Sequence, residues 1–277
     1  MSTGCLTENI FSLPGGLMLQ QNQLLSTACL RPLSGREEEW LAYHHAVPNA
    51  ARVSWLLGAC MLSLGDRSVN VELVRRLLVA DRDYLILQLR RITFGDQVQA
   101  VVPCPNCNQK MDIDFHLDDV PVERRPQHAC SYTLELGDRV VRFRLPTGGD
   151  QEAVLGIVEN AAVAELLKRC VLDDGGELLS SDEQNALIAE MERLAPQVDL
   201  ELDLACPNCA GQFLLPFDTT AFFFEEMASK GDALLREIHA LAFYYHWSES
   251  DILKLERRRR RAYLALLNDS LRQDGVN

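Results

Sequence analysis

The sequence predicts an α+β fold in which a small β core, made of two Cys-Pro-Asn-Cys knuckles, sits between N-terminal and C-terminal helical regions and is interrupted by a mixed insertion. Three observations carry this reading. The tetrapeptide Cys-Pro-Asn-Cys occurs twice, at 104–107 and 206–209. Apolar and polar residues alternate on both sides of each copy, the period-two signature of a half-buried strand. Most of the sequence before residue 95 and after residue 219 follows helical spacing instead. The implied organisation is a helical region over 1–95, a β core from 96–120 and 197–218, a hairpin and helical insertion over 121–196, and a helical region over 219–277.

Residues 10–33 read as a short extended lead-in punctuated by Leu13-Pro14-Gly15-Gly16. Ser34-Gly35-Arg36-Glu37 is a capping box, so a helix starts there, with Trp40, Leu41 and His44 at helical spacing. Helices are expected over Ala50 to Leu64 and Val69 to Val79. A further one is capped by Asp81, striped by Leu85, Leu89 and Ile92, and ended by Gly95. Strand alternation follows at Val98 to Val102 and at Met111, Ile113, Phe115 and Leu117. A hairpin spans 130–145 and turns at Gly137-Asp138. Helical spacing returns over 150–170 and 181–194, separated by the loop Asp173-Asp174-Gly175-Gly176. Leu200, Leu202 and Leu204, alternating with acids such as Asp199, lead into the second knuckle, and Phe213, Leu215 and Phe217 lead away. Helices are then expected at 220–229, 232–246 and 249–272, the last capped by Ser248 with Asp251.

Aligning the knuckles superposes Val98–Val102 on Leu200–Leu204 and Met111–Phe115 on Phe213–Phe217, so strand–knuckle–strand is an internal repeat. A two-residue spacer lets one tight turn present two sulfurs, and two such turns complete a tetrahedral shell for zinc. Cys104, Cys107, Cys206 and Cys209 are the expected ligands. The proline fixes each turn, and Asn106 and Asn208 are expected at its left-handed corner. Redox chemistry, iron–sulfur ligation and two pairs that never meet remain as alternatives. Four thiolates leave no open position for water, so the expected zinc is structural rather than catalytic.

With 27 Lys and Arg against 40 Asp and Glu, the formal charge is −13, which repels phosphate backbones and argues against general nucleic-acid binding. No apolar run approaches the ~18–20 residues of a membrane span. The start Met1-Ser2-Thr3-Gly4-Cys5 lacks the features of a secretion signal, and a bacterial cytoplasmic location is expected, with later incorporation into a particle left open. Cys5, Cys29, Cys60, Cys130 and Cys170 read as small buried hydrophobes. There is no phosphate loop, no His-Glu-x-x-His and no Gly-x-Ser-x-Gly. His44 and His45 are placed on a surface helix, His116 on a strand's polar face, His128 in a loop, and His239 and His246 at a helix's core boundary. The acidic pair Asp118-Asp119 reads as solvated turn chemistry.

Five consecutive arginines, Arg257, Arg258, Arg259, Arg260 and Arg261, go right round a helix at ~100° per residue. No single solvent stripe can hold them. Either some pair internally with carboxylates, or they are offered to a partner; both readings stand, and all five are candidate partner-binding residues.

Four stretches together resemble the baseplate hub assembly family of contractile-tailed phages and related contractile injection systems. They are Leu13-Pro14-Gly15-Gly16 with Leu30-Arg31-Pro32-Leu33-Ser34-Gly35-Arg36-Glu37-Glu38-Glu39; Leu78-Val79-Ala80-Asp81-Arg82-Asp83 with Thr93-Phe94-Gly95-Asp96; both knuckles; and Glu237-Ile238-His239 with His246-Trp247-Ser248-Glu249. The resemblance implies a non-enzymatic protein that helps to build, or sits within, a baseplate, with tail or baseplate proteins as partners. The contrasting expectation is a cytoplasmic enzyme or regulator that uses a zinc ribbon only as scaffold. An enzyme should show a deep pocket of convergent polar groups, and an assembly protein no pocket lined by titratable ones.

Overall fold

A computed structural model describes residues 9–19, 23–124, 129–137, 139–173, 179–198 and 200–274. Cys5, His128, Asp138, Asp199 and the expected loop from Asp174 onward lie outside these residues. The chain is a mixed α+β protein, as its patterning predicts.

The lead-in is a hairpin, β1 (Ile10–Met18) against β2 (Leu24–Leu30). Helix α1 (Gly35–Tyr43) begins at the Ser34–Glu37 capping box, with both reciprocal bonds made. Helix α2 (Asn49–Cys60) stops four residues short of expectation. Met61–Leu64 forms strand β3 instead, because its backbone pairs with β2. With β4 (Arg67–Ser68) this completes a four-stranded antiparallel sheet. Helix α3 covers only Val71–Arg75, and α4 covers Val79–Phe94, closed by Gly95 at φ 94°. Asp81 is not its cap. It sits buried in the first turn, where it accepts the Gly15 N–H at 2.7 Å. Apolar residues of this sheet and of α1, α2 and α4 form the largest core, and Phe223, Phe224 and Met227 complete it from the C-terminal part of the chain.

The knuckle strands are β5 (Gln97–Pro103) with β6 (Lys110–His116), and β11 (Leu200–Ala205) with β12 (Gln212–Phe217). Between them come β7 (Val122–Glu123), the hairpin β8 (Tyr132–Leu136) and β9 (Arg139–Phe143), then α5 (Gly148–Ala153), α6 (Glu159–Cys170), α7 (Ser181–Leu194) and β10 (Gln197–Val198). The expected helix over 150–170 is two, broken after Ala153 by a turn containing Gly156 at φ 79°. A second core forms among the β9 strand, α6 and α7. The excursion closes where β10 pairs with β7, Val198 opposite Val122. Its two ends therefore meet beside the knuckles.

Helices α8 (Thr219–Ser229) and α9 (Gly231–Tyr245) follow. The expected final helix is also two pieces, α10 (Glu249–Leu253), capped by Ser248, and α11 (Arg257–Asp274). The interruption has a tertiary cause: Glu256 bridges to Ser34, and the Leu255 carbonyl accepts the Gly35 N–H at 3.1 Å.

Candidate metal centre

Each knuckle is built by the same backbone bonds. Cys104 N–H donates to the Gln109 carbonyl and Asn108 N–H to the Cys104 carbonyl; in the second copy Cys206 N–H reaches Gly211 and Ala210 N–H reaches Cys206. The left-handed corner falls at Asn108 (φ 58°) and Ala210 (φ 55°), one residue past the second cysteine, and not at Asn106 or Asn208 as expected. The strand registers place Val98 opposite Phe115 and Leu200 opposite Phe217, so the two hairpins are equivalent in structure as well as in sequence.

The four sulfurs converge. Cys104 and Cys209 Sγ lie 3.8 Å apart, and Cys107 and Cys206 Sγ lie 3.7 Å apart, across 105 and 99 residues of chain. All four lie within 4.8 Å of one another. A tetrahedral ion with metal–sulfur bonds of about 2.3 Å requires a sulfur–sulfur edge of about 3.8 Å. Disulfides need sulfurs at about 2.05 Å, so neither cross-knuckle pair is one. An iron–sulfur cluster spreads its four cysteines over two or more irons and would hold some of the sulfurs further apart than this. The donor set fits a single tetrahedral, thiophilic ion. Cys104 and Cys206 are buried and Cys107 and Cys209 exposed, so one side of the shell is covered by the hairpins.

Second contacts cross between the knuckles. The Asn208 side-chain amide donates to Cys107 Sγ at 3.6 Å, and Asn106 packs against Gly211 so closely that a Cβ there would lie 2.3 Å from its Nδ2. The Gln109 backbone amide, with Asn208, holds the Cys107 thiol down at about 6, the thiolate form a metal requires. The Gly211 amide favours the Cys209 thiolate too, but desolvation, with hydrogen bonding among the neighbouring sulfurs, keeps it up at about 11.

The other cysteines divide. Cys60 and Cys170 are buried, and burial pushes their thiols up to about 12 and about 11. Cys29 is buried but disulfide-bonded, and Cys130 is exposed, so those two depart from the expected small hydrophobes. His44 caps the end of α1 and His45 lies beyond it; His239 and His246 are exposed rather than at a core boundary.

The arginine run splits in the same way. Arg260 is fully buried and Arg257 nearly so; both clamp the buried carboxylate of Glu38, at 2.7 and 3.1 Å, and Arg260 also reaches Glu237 at 3.0 Å. These two arginines point into the protein. Arg258, Arg259 and Arg261 are exposed on the outer side of the helix, although Arg261 also lies 3.9 Å from Glu237.

The remaining motif residues form buried polar joints. Arg31 grips Glu37 with both guanidinium nitrogens, at 2.9 and 3.2 Å, and Thr93 receives the Leu33 N–H. Arg82, buried and with no ion pair among the described residues, donates to the Ala50 carbonyl and to Ser54, and Gly148 lies against it with no room for a side chain. These stretches secure the fold.

A cleft of about 900 Å³ near α2, α4 and α8 is lined by Arg82, Asp83, Glu123, Glu201 and Asp218, so the expected lack of titratable pockets does not hold. Several of these groups already have structural work. Asp218 caps α8, and Asp83 accepts the Thr220 hydroxyl.

A family model of the T4 bacteriophage base plate protein matches residues 30–172, just over half of the chain. The chain is thus related to phage baseplate components, and it belongs to the T4 bacteriophage base plate protein family. The matched span contains the first knuckle and stops before the second, so the metal centre is an independent observation. No curated protein and no solved structure matches the chain. Among the described residues, no helix is long and apolar enough to cross a membrane.

Proposed function

We propose that this protein is a non-enzymatic component of the baseplate of a phage-like contractile tail or contractile injection system, acting in assembly at the hub, and that a structural zinc ion holds its β core. The family match over 30–172 carries the baseplate part of the reading. The sulfur geometry supports the metal, held by Cys104, Cys107, Cys206 and Cys209. Zinc is the natural choice for an all-thiolate tetrahedral shell, and such a shell has no open position for a substrate or water.

The same reading divides the chain into an N-terminal region (1–95), expected to be helical but carrying a four-stranded sheet beside its helices, a β core (96–120 and 197–218), an insertion (121–196) and a C-terminal helical region (219–277). Arg258, Arg259 and Arg261 are the partner-facing part of the arginine run, with tail or baseplate proteins as partners. The protein is made in the bacterial cytoplasm and built into the particle from there.

The test is affinity capture of the tagged full chain from cells assembling the particle, with metal analysis of the same sample. Recovery of baseplate or tail proteins together with one zinc per chain is expected. Zinc without such partners would favour a scaffolded regulator, and partners without metal would remove the zinc clamp.

A further inference from the structure

Two surfaces of this chain remain unused by the metal centre and the buried ion pairs, and they are complementary. The first is a groove of about 1030 Å³ between the β5–β6 hairpin, the end of β12 and helix α8. Its apolar part includes Val101, 60% exposed, with Phe217 and Phe222; Asp112, Asp114 and Glu225 supply exposed carboxylates. The β5–β6 hairpin pairs with no other strand among the described residues, so it is not covered by a larger sheet.

The second surface is the outer face of α11. Arg257, Arg260 and Leu267 are its buried side. Arg258, Ala262 and Leu266 stand at four-residue intervals on the opposite side, with Arg261 and Ala265 beside them, and all five are exposed. Leu266 is 60% exposed, an unusual position for a leucine near exposed arginines, of which Arg261 also lies 3.9 Å from Glu237. Asp269 ends the basic stretch.

We propose that α11 of one copy docks its Arg258–Leu266 stripe into the acidic, apolar groove of a second copy. Opposite charge at the rim and apolar contact at the centre is the arrangement of specific protein interfaces. The choice of a second copy follows from where the cations lie. The chain carries a net charge of −13, yet this one helix face is basic, and its match in charge and polarity occurs on the same chain. Because the two surfaces differ, the contact is head-to-tail. Copies then add in one direction and close into a ring if the rotation permits. A phosphate backbone would use the arginines but leave Leu266 and the groove without a role.

The inference goes beyond the proposed function while sharing its knuckle hairpin, so metal content is read in every sample to separate the two. The experiment is sedimentation velocity of the zinc-loaded full chain at low and high salt. It uses the wild type, a helix variant (Arg258→Glu with Leu266→Glu) and a groove variant (Asp114→Lys with Glu225→Lys). Wild type should associate in low salt and dissociate in high salt. Each variant should keep its metal and circular dichroism while associating at least about tenfold more weakly. An equimolar mixture of the two variants should associate again, because each retains one intact surface. A wild type that stays a single copy at every concentration and salt, or a mixture that fails to recover, overturns the proposal. So does a single-copy protein that binds a DNA duplex with steep salt dependence, which would give the helix to nucleic acid.

Discussion

The sheet-and-helix core near the N-terminus and the knuckle core solve the same problem with different means. The first joins apolar residues from β1–β3, α1, α2, α4 and α8, among them Leu30, Leu41, Leu57, Leu85 and Phe223, all nearly inaccessible to solvent. The knuckle core has four buried members, Met111, Ile113, Cys104 and Cys206, and two of those are cysteines of the candidate site. Area burial at roughly 25 cal/mol per Å² can hold the first together. The far ends of the hairpins rest on Leu87 of α4 and Phe222 of α8 through Val98, Phe115 and Phe217, but a two-stranded hairpin is marginal in water and little apolar area backs the knuckle ends. The chain leaves for nearly a hundred residues and returns, and the proposed ion on four sulfurs would fasten that return.

The largest effect should come from breaking that fastening. Structural zinc binding carries about 10–16 kcal/mol of apparent free energy in zinc-finger peptides. Chelation, or Cys107→Ser, should therefore cost several kcal/mol and open the hairpins β5–β6 and β11–β12 first. Hydrogen exchange should show their amides losing protection while α2 and α4 keep theirs. Equal loss in both regions would mean that the two cores are one cooperative unit.

Next in size is Glu38→Ala. The carboxylate is buried between Arg257 and Arg260, and removing it leaves Arg257 without a carboxylate among the described residues and Arg260 with Glu237 alone. Breaking a buried pair of this kind costs about 3–5 kcal/mol. Urea unfolding should show that loss with metal content unchanged, because the joint lies outside the knuckles.

A smaller, pH-dependent effect belongs to Asp150. Burial works against its charge, yet Arg144 and the amide and hydroxyl of Thr147 hold its carboxyl down at about 2, from an ordinary 3.8. The stability this adds is complete above pH 3.8 and disappears as pH falls through 2. Asp150→Asn should flatten the acid limb of the stability curve between those values. An unchanged acid limb would show that the pair contributes nothing.

The smallest expected change is a gain. Ala210 holds a left-handed conformation that costs an L-residue about 1 kcal/mol, so Ala210→Gly should raise the melting point slightly. Asn108, at the matching position of the first knuckle, already tolerates that geometry, and Asn108→Gly should gain less.

Much of the β core was legible in the sequence because its signals are local. Spacing announces the knuckles, and Val98–Val102 and Phe213–Phe217 alternate on their own. The features that were not legible depend on distant partners. Met61–Leu64 continues a helical apolar pattern and becomes a strand only because β2 lies beside it. Arg257 and Arg260 look like their three neighbours until Glu38, more than two hundred residues away, selects them. Asn208 reads as a turn residue, yet its amide crosses to Cys107. The two knuckle asparagines are the one clue that was available, since a repeated side chain need not serve the turn that carries it.

X-ray absorption at the zinc edge of the purified full chain tests the metal clamp most directly. One zinc per chain with four sulfur neighbours at about 2.3 Å is the expected result. A chain that folds and purifies with no metal, or with nitrogen or oxygen in the first shell, would contradict it.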